Sequence, residues 1–359
     1  MSNLTGNRWT KIGLWCLVSL VLAYIGARLW LGDWGRAAPL SARPAAPFSH
    51  VIVIMMENHG TKSLTSNPNT PYIDHLMATY GFDPVYHGVT HPSLPNYLAM
   101  ISGSTQNQHT DYPTSSFHAL TLISQLNRRH LSWEGVMQSI PHPNYRGQWY
   151  PAPLSQQNAL SAPSTALYAK KHNPFAFFTT ISAQTLQDHT VTLRQFKTQL
   201  KKGQIPRFVW ITPNLCHDMH GQPDSAQAAC PVNNNNRLER LGDSFLAEWV
   251  PAIMRSSAWY GNAVIFIVWD EANAPSGITS VPQYLAAAPG SPRILGISVG
   301  GGIVPLIVIS RQNKQHQVVS IDCNHYCVLK TIENGWKLGY LGMAQSPAIP
   351  TLVPLVPGR

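Results

Sequence analysis

Carboxylate, amide and imidazole side chains occur in three short clusters that are far apart in the chain. The clusters are Glu57-Asn58-His59, His217-Asp218-Met219-His220 and Asp270-Glu271. Carboxylate and amide oxygens are hard ligands that suit a divalent cation, and imidazole nitrogens shift the preference toward zinc, iron or manganese. We therefore expect a metal site whose ligands are Glu57, Asn58, Asp270 and Glu271.

A hydroxyl group stands in the segment "VTHPSLPNYLAMISG", residues 89–103, just before a helical pattern. Serine is a preferred N-cap residue, so Ser93 is interpreted first as the cap of a helix that begins at Leu94. A hydroxyl bound to a metal ion, however, has a lowered pKa and becomes a nucleophile near neutral pH. A helix N-terminus also attracts phosphate. The two interpretations of Ser93 are compatible, because one place in the fold serves both.

Histidines supply the remaining groups that phosphate-ester cleavage needs. The reaction needs hydrogen-bond donors to the phosphoryl oxygens and an acid for the leaving alkoxide. Each candidate, taken alone, could equally be a structural histidine. The candidates are His91, His172, His217 and His220.

Short apolar runs alternate with amphipathic segments from Phe48 onward. Continuous runs rich in β-branched residues are typical of strands buried on both faces, and they occur at 50–56, 207–212, 263–269 and 304–310. Helical patterns occur at 71–80, 94–102, 119–128, 190–202 and 236–256. This alternation predicts an α/β sandwich with a largely parallel sheet.

The three polar clusters directly follow the first three of these strands. In open α/β sheets, ligands bind outside the carboxyl ends of the strands. One such cluster alone would be interpreted as a solvated loop. Three of them after three buried strands predict that the side chains converge on one crevice.

The N-terminal segment predicts export. Arg8 and Lys11 precede an uncharged apolar run at 12–27, which resumes after Arg28. Residues 1–32 are interpreted as a signal peptide or, with preference, an uncleaved anchor that places 12–32 in the membrane and the body outside the cytoplasm. Residues 33–47 form a Pro/Ala-rich tether, and residues 48–359 form a single domain.

Four cysteines follow the apolar run, an even number that agrees with an extracytoplasmic protein. Three pairings are possible, of which Cys216 with Cys230 and Cys323 with Cys327 is the most local. The alternative is a metal loop in "CNHYC", which is less favoured because a second cysteine pair at finger-like spacing is missing.

Charge distribution argues against nucleic-acid binding. The formal net charge is +9, but the basic residues are dispersed and form no block and no stripe interleaved with aromatic residues. The excess charge indicates at most a mild attraction to anions.

Seven blocks of the chain resemble, in order, the bacterial phosphoesterases that group acid phosphatases with phospholipase C enzymes in the alkaline phosphatase superfamily. The similar region covers most of residues 48–342. The blocks are "HVIVIMMENH", "THPSLPNYLAMISGST", "KHNPFAFF", "PNLCHDMHG", "VIFIVWDEA", "VPLIVIS" and "NHYCVLKTIENG". Seven blocks in order are far more specific than any one of them.

The resemblance implies an alkaline-phosphatase-like three-layer α/β/α sandwich and one tightly held divalent metal ion, with a weaker second. Glu57-Asn58 and Asp270-Glu271 match the ligand pairs. Ser93 aligns with the nucleophile of a related superfamily pattern and would also bind the metal. Thr90 is the alternative nucleophile. The resemblance also implies that His172 and His220 are phosphate-pocket residues, and that Asp218 beside them is an orienting partner or a ligand. His91 and His217 are further candidates for the site. His325 is expected mainly to pack in a helix near the site.

Three functions remain open at this stage. The leading hypothesis is an exported metal-dependent phosphomonoesterase in which a phosphoserine forms at Ser93 and water hydrolyses it. A phospholipase C type phosphodiesterase, acting on a phospholipid or phosphoinositide, is the alternative. A non-catalytic, anchored binding protein of the same fold is the third. Sulfatase activity is not expected, because the arginine of the sulfatase motif is missing after Ser93.

Overall fold

The computed structural model describes residues 48–274, 280–311 and 316–356. The predicted signal segment at 1–32, with its membrane run at 12–32, and the predicted tether at 33–47 lie outside these residues. Within the described ranges, no helix is both long enough and apolar enough to span a membrane.

Eight strands form the central sheet. In chain order they are β1 (Val51–Met56), β2 (Gly81–Asp83), β3 (Trp133–Met137), β6 (Thr190–Val191), β7 (Phe208–Thr212), β8 (Val264–Trp269), β11 (Leu306–Ser310) and β12 (Gln317–Val318). Their spatial order is β12-β2-β11-β8-β1-β7-β3-β6. The remaining strands form two small ribbons, β4 (Trp149–Tyr150) with β5 (Tyr168–Ala169), and β9 (Arg293–Ile294) with β10 (Ile297–Ser298).

Helices cover the sheet. In chain order they are α1 (Thr61–Leu64), α2 (Pro71–Thr79), α3 (Ser93–Ser102), α4 (Leu122–Arg128), α5 (Ala183–His189), α6 (Leu193–Lys202), α7 (Asn235–Met254), α8 (Val281–Tyr284) and α9 (His325–Trp336). Helix α3 packs against α9, and α2 packs against α7. Every residue of β1 and β8 is buried, as expected for strands with a helix layer on each face. The predicted three-layer α/β/α fold is confirmed.

Strand β1 lies at the centre of the sheet and is parallel to both neighbours, β7 and β8. Its register aligns Met56 with Trp269 of β8. The carboxyl ends of β1, β7 and β8 therefore meet at one edge, as the sequence predicts.

Residues 304–310 contribute the predicted strand to this largely parallel sheet, although the sequence left the direction of that strand open. Strand β11 runs antiparallel to β8 and to β2. A continuous apolar run reads the same in either direction, so the pattern reports burial and not orientation. The helix predicted at 190–202 starts later in the structure. Thr190–Val191 belongs to β6, the Thr192 side chain caps the helix, and α6 begins at Leu193.

Two disulfides close local loops. Cys216 is bonded to Cys230, and Cys323 is bonded to Cys327. The most local of the three possible pairings is therefore confirmed, and the alternative metal loop at "CNHYC" is excluded because both its cysteines are used. The second disulfide brackets the start of α9.

Candidate active site

The ends of β1 and β8 bring the predicted acidic residues together. Glu57 and Asp270 directly follow aligned residues of these strands, and both are fully buried. The Asn58 amide donates to Asp270 Oδ1 at 2.9 Å, and the Glu57 amide donates to the Asp218 carbonyl at 2.8 Å. Backbone hydrogen bonds thus tie the three polar clusters to one another.

Ser93 is the first residue of α3, and it does not cap that helix. Pro92 occupies the N-cap position with extended backbone and no side-chain cap. The interpretation of Ser93 as the cap of a helix starting at Leu94 is therefore wrong. Its hydroxyl instead donates to Glu57 Oε2 at 3.1 Å and to Glu271 Oε1 at 3.3 Å. The hydroxyl is buried between two carboxylates.

A buried ammonium group completes the surroundings of Ser93. Lys171 Nζ donates to Ser93 Oγ at 3.4 Å and to Asp111 Oδ2 at 2.9 Å. Asp111 Oδ1 in turn accepts the Leu94 amide at 3.0 Å, so it also satisfies the first turn of α3. Sequence reasoning missed both residues. The available signal was the position of Lys171 beside His172 in "KHNPFAFF".

Two histidines share the other side of Glu57. His172 Nε2 lies 3.2 Å from Glu57 Oε1, and His172 Nδ1 lies 3.1 Å from Asp218 Oδ2. The His220 amide donates to Asp218 Oδ1 at 2.7 Å. One ligand atom each of Glu57, His172 and His220 lies within 4.8 Å of the other two. This spacing is close enough for the three side chains to ligate one ion.

Tyr97 holds this group in place from α3. Its hydroxyl donates to Glu57 Oε1 at 2.6 Å, and its ring stacks on His172 with centroids 5.4 Å apart. Sequence reasoning did not single out Tyr97, because one aromatic residue in an apolar helix is most simply interpreted as core.

Unpartnered polar atoms show that the group fits a metal ion. His172 Nε2, Asp218 Oδ2 and Asp270 Oδ2 are buried, and none of them forms an aligned hydrogen bond, although the first two lie near Glu57 Oε1 and His172 Nδ1. Buried polar groups are normally satisfied, so a cluster of such atoms indicates a missing partner. Carboxylate oxygens and imidazole nitrogens are also the donors that a divalent cation of the zinc, iron or manganese type prefers.

The pKa shifts point the same way. Burial, reinforced by the Asp270 carboxylate, raises the pKa of Glu57 and Asp218 well above the usual values, and burial with Glu271 raises the pKa of Asp270 to about 7. Burial, followed by the Lys171 charge, lowers the pKa of His172 well below its usual value. At all three carboxyl groups the effect of burial outweighs the nearby Lys171 charge, and the imidazole of His172 is neutral, which is the form that binds metals.

The predicted residues His91, Thr90 and His217 contact different partners, and only some of these belong to the candidate site. His91 Nδ1 contacts Glu271 Oε2, so His91 joins the site through that carboxylate. Thr90 Oγ1 donates to the His91 carbonyl at 3.3 Å, facing its own backbone. His217 Nδ1 contacts the Gln138 side chain, and its ring lies against Phe245. The structure therefore brings His91 to the site and directs Thr90 and His217 to other partners.

Asn58 and His325, which the sequence also singles out, contact the backbone and the side chains around the site. The Asn58 side-chain amide donates to Glu57 Oε2 at 3.2 Å. His325 lies under the site, with Nε2 2.7 Å from the Asp270 carbonyl and Nδ1 2.9 Å from the Tyr86 hydroxyl. His325 thus positions the Asp270 backbone in addition to packing in α9.

A profile of the phosphoesterase family matches residues 64–339. The chain belongs to the phosphoesterase family. Among its relatives, "Phosphate-repressible acid phosphatase" of Penicillium chrysogenum is 28% identical over 85% of this chain and 65% of that protein. "Phosphatidylinositol-3-phosphatase" of Mycobacterium tuberculosis is 26% identical over 71% of this chain and 76% of that protein.

The chain is shorter than the fungal acid phosphatases that it matches. It spans 58% of the Aspergillus fumigatus protein, to which it is 20% identical over 85% of its own length, and 65% of the Penicillium protein. Among solved structures, a phosphonate monoester hydrolase of Agrobacterium radiobacter superposes with a TM-score of 0.51 at 13% identity, covering 88% of this chain and 78% of that one. That similarity supports the fold.

Proposed function

We propose that this phosphoesterase is a metal-dependent phosphomonoesterase and that Ser93 is its nucleophile. One observation carries the proposal: Ser93 is 1% exposed, and its hydroxyl contacts two carboxylates and one ammonium group. A serine that merely filled the core or capped a helix would not need such neighbours. Groups that accept a proton and stabilise an oxyanion are what a serine nucleophile requires.

The metal ion would be held by Glu57, His172 and His220, with the Asp218 and Asp270 carboxylates beside them. The cluster of unpartnered atoms and the donor set support this assignment. When bound, the ion supplies Lewis-acid stabilisation of negative charge on the phosphoryl group. In this scheme His172 and His220 are ligands, which revises their expected role as phosphate-pocket groups.

The chain's own residues then divide the reaction into two steps. Ser93 Oγ attacks phosphorus, its proton passes to the Glu271 carboxylate, and the bond from phosphorus to the substrate alcohol breaks. The alcohol takes a proton from solvent. Water then attacks the phosphoserine and loses one proton to solvent, the bond between phosphorus and Ser93 breaks, and the Ser93 oxygen takes back the proton from the carboxyl group as phosphate leaves. The Lys171 charge stabilises the Ser93 oxygen in both steps.

The substrate is proposed to be a phosphate monoester rather than a diester. The names of the relatives, acid phosphatases and a phosphatidylinositol-3-phosphatase, support this choice over the phospholipase C alternative. The second of these names makes a phosphoinositide a specific candidate substrate. The two disulfides support an extracytoplasmic location, because disulfides persist in oxidising compartments.

A comparison of initial rates tests the function. The purified chain, with its metal content measured, is assayed on 4-nitrophenyl phosphate and on bis(4-nitrophenyl) phosphate. We expect the monoester to be cleaved at least tenfold faster. Faster cleavage of the diester would favour the phosphodiesterase. Absence of any hydrolysis from pH 4 to 9 by metal-loaded protein would favour the binding protein.

A further inference from the structure

The Asp111 carboxylate lies beside the proposed nucleophile. The residue belongs to the loop between α3 and α4. Its carboxylate bridges two donors, because Oδ1 accepts the Leu94 amide at 3.0 Å and Oδ2 accepts Lys171 Nζ at 2.9 Å. Both donors adjoin Ser93: Leu94 follows it in the chain, and Lys171 Nζ lies 3.4 Å from its hydroxyl oxygen. The site thus binds an anion that belongs to the chain itself.

A phosphoryl group on Ser93 needs donors at the same place. When Ser93 Oγ bonds to phosphorus, the other phosphoryl oxygens lie beside it and require hydrogen-bond donors or positive charge. The Glu57 and Glu271 carboxylates, which also contact the hydroxyl, repel a phosphate group. The Lys171 ammonium and the Leu94 amide can supply the donors, since ammonium and backbone N–H groups form charge-assisted hydrogen bonds to anions.

The surroundings of Asp111 allow one anion to replace the other. The Asp111 side chain is 15% exposed and that of Lys171 is 7% exposed, so the carboxylate is the more accessible member of the pair. Within the described ranges, no backbone-to-backbone hydrogen bond attaches residues 109–116 to the body. A buried ammonium group is costly without a paired charge, and an arriving phosphoryl group would supply that charge as the carboxylate leaves.

We propose that the Asp111 carboxylate and the phosphoryl group of the substrate bind the same two donors in turn, so that Asp111 determines the affinity of the site for phosphate. The inference rests on the proposed function, because it concerns the phosphoryl group that Ser93 receives. The carboxylate competes with the substrate and with the product, inorganic phosphate. Its return to Lys171 and the Leu94 amide favours release of the product.

Binding of inorganic phosphate tests the assignment. Metal-loaded wild type and Asp111→Ala, with metal content measured, are titrated with phosphate by isothermal titration calorimetry. We expect the Kd for phosphate to fall about tenfold or more in the variant, because phosphate no longer displaces a carboxylate from charge-assisted hydrogen bonds. The KM for 4-nitrophenyl phosphate should fall as well.

The opposite result identifies a purely structural role. If Asp111 only holds Lys171 in place, its removal should weaken phosphate binding and raise KM. Weaker or unchanged phosphate binding by folded Asp111→Ala would therefore overturn the assignment. Asp111→Asn, which keeps a side-chain oxygen for the Leu94 amide, replaces the alanine variant if thermal unfolding shows that the latter does not fold. Its Kd for phosphate should also fall.

The matched control is Asp188→Ala, which removes the same charge elsewhere. Asp188 is exposed on α5 and accepts the Gln184 side-chain amide at 2.8 Å. We expect its Kd for phosphate to equal that of wild type. An equal fall in Asp111→Ala and Asp188→Ala would show an effect of overall charge and would overturn the assignment.

The hydrolysis assay separates failure of this inference from failure of the proposed function. If metal-loaded wild type hydrolyses no phosphate monoester, the proposed function fails, even where Asp111→Ala binds phosphate more tightly. If wild type hydrolyses the monoester and Asp111→Ala does not bind phosphate more tightly, the proposed function stands and the role of Asp111 is wrong.

Discussion

Lys171 Nζ lies 3.4 Å from Ser93 Oγ, and both groups are buried. A buried ammonium is costly unless it is paired, and Asp111 supplies the pair at 2.9 Å. The chain thus maintains a positive charge against a hydroxyl that also donates to two carboxylates. The ammonium group favours a negative charge on the Ser93 oxygen, and a neighbouring carboxylate can accept the hydroxyl proton.

Removal of that charge should slow catalysis. We expect Lys171→Met to lower kcat about 10²–10³-fold, the usual effect of losing one group that stabilises an oxyanion. The matched control is Lys170→Met, because Lys170 Nζ lies over the Phe177 ring, 4.8 Å from its centroid. Steady-state kinetics on 4-nitrophenyl phosphate measure both variants. Equal kcat values for the two variants would refute a role for Lys171.

Metal binding should depend on His220 and not on His217. His220→Ala removes one member of the candidate ligand group, whereas His217 Nδ1 contacts Gln138. After gel filtration, we expect the His220 variant to retain at least tenfold less metal than wild type and the His217→Ala variant to retain the same amount. Elemental analysis of the protein peak gives the result. Full metal content in His220→Ala would exclude His220 as a ligand.

The hydrogen bond that supports His325 should contribute to stability. Tyr86→Phe removes the hydroxyl that lies 2.9 Å from His325 Nδ1 in a fully buried place. We expect the free energy of unfolding in urea to fall by about 1–3 kcal/mol. Tyr340→Phe, which removes an exposed hydroxyl that accepts from Asn334, should change it by about 0.5 kcal/mol or less. Equal effects would contradict the structural role of His325.

The contribution of Glu333 to stability should fall as the pH rises from acidic to mildly alkaline values. Burial raises the pKa of Glu333 to about 8 from its usual 4.5. Below pH 4.5 the carboxyl is protonated in both states, and its contribution is complete. Between 4.5 and 8 only the unfolded state releases the proton, so the contribution is lost, on the order of a few kcal/mol.

Glu333→Gln isolates this effect. Glutamine keeps the side-chain oxygen that accepts the Leu341 amide at 2.9 Å but does not titrate. Thermal unfolding at pH 5 and pH 8 should show a smaller decrease in Tm for the variant than for wild type. Identical decreases would show that Glu333 does not titrate in this range.

Much of the fold and half of the site could be predicted from the sequence. Glu57 and Asp270 were predictable because the ends of parallel strands share one edge of a sheet. Asp111 lies in a loop and Lys171 follows only the two-residue strand β5 of a small ribbon, so their meeting depends on loop packing that has no periodic signal. Ser93 was predictable as a residue of interest, but its hydroxyl direction depends on Pro92 taking the N-cap position.

The direction of β11 was not predictable either. Its apolar run reports that both faces are buried, and this holds for parallel and antiparallel strands alike. The group of side chains that could hold a metal ion also differs from the expected ligands, because Asn58 was expected whereas the ligand atoms within 4.8 Å of one another belong to Glu57, His172 and His220. The backbone geometry determines which side chains converge on one point, and the spacing of residues along the chain does not reveal that geometry.

The most direct test of the account is to trap the phosphoenzyme. Wild type, Ser93→Ala and Thr90→Val are mixed with a phosphate monoester, quenched in acid and analysed by peptide mass spectrometry, with metal content measured on the same samples. The account predicts phosphate on Ser93 in wild type and in Thr90→Val, and neither phosphoenzyme nor turnover in metal-loaded Ser93→Ala. Turnover by Ser93→Ala, or phosphate on Thr90, would contradict it.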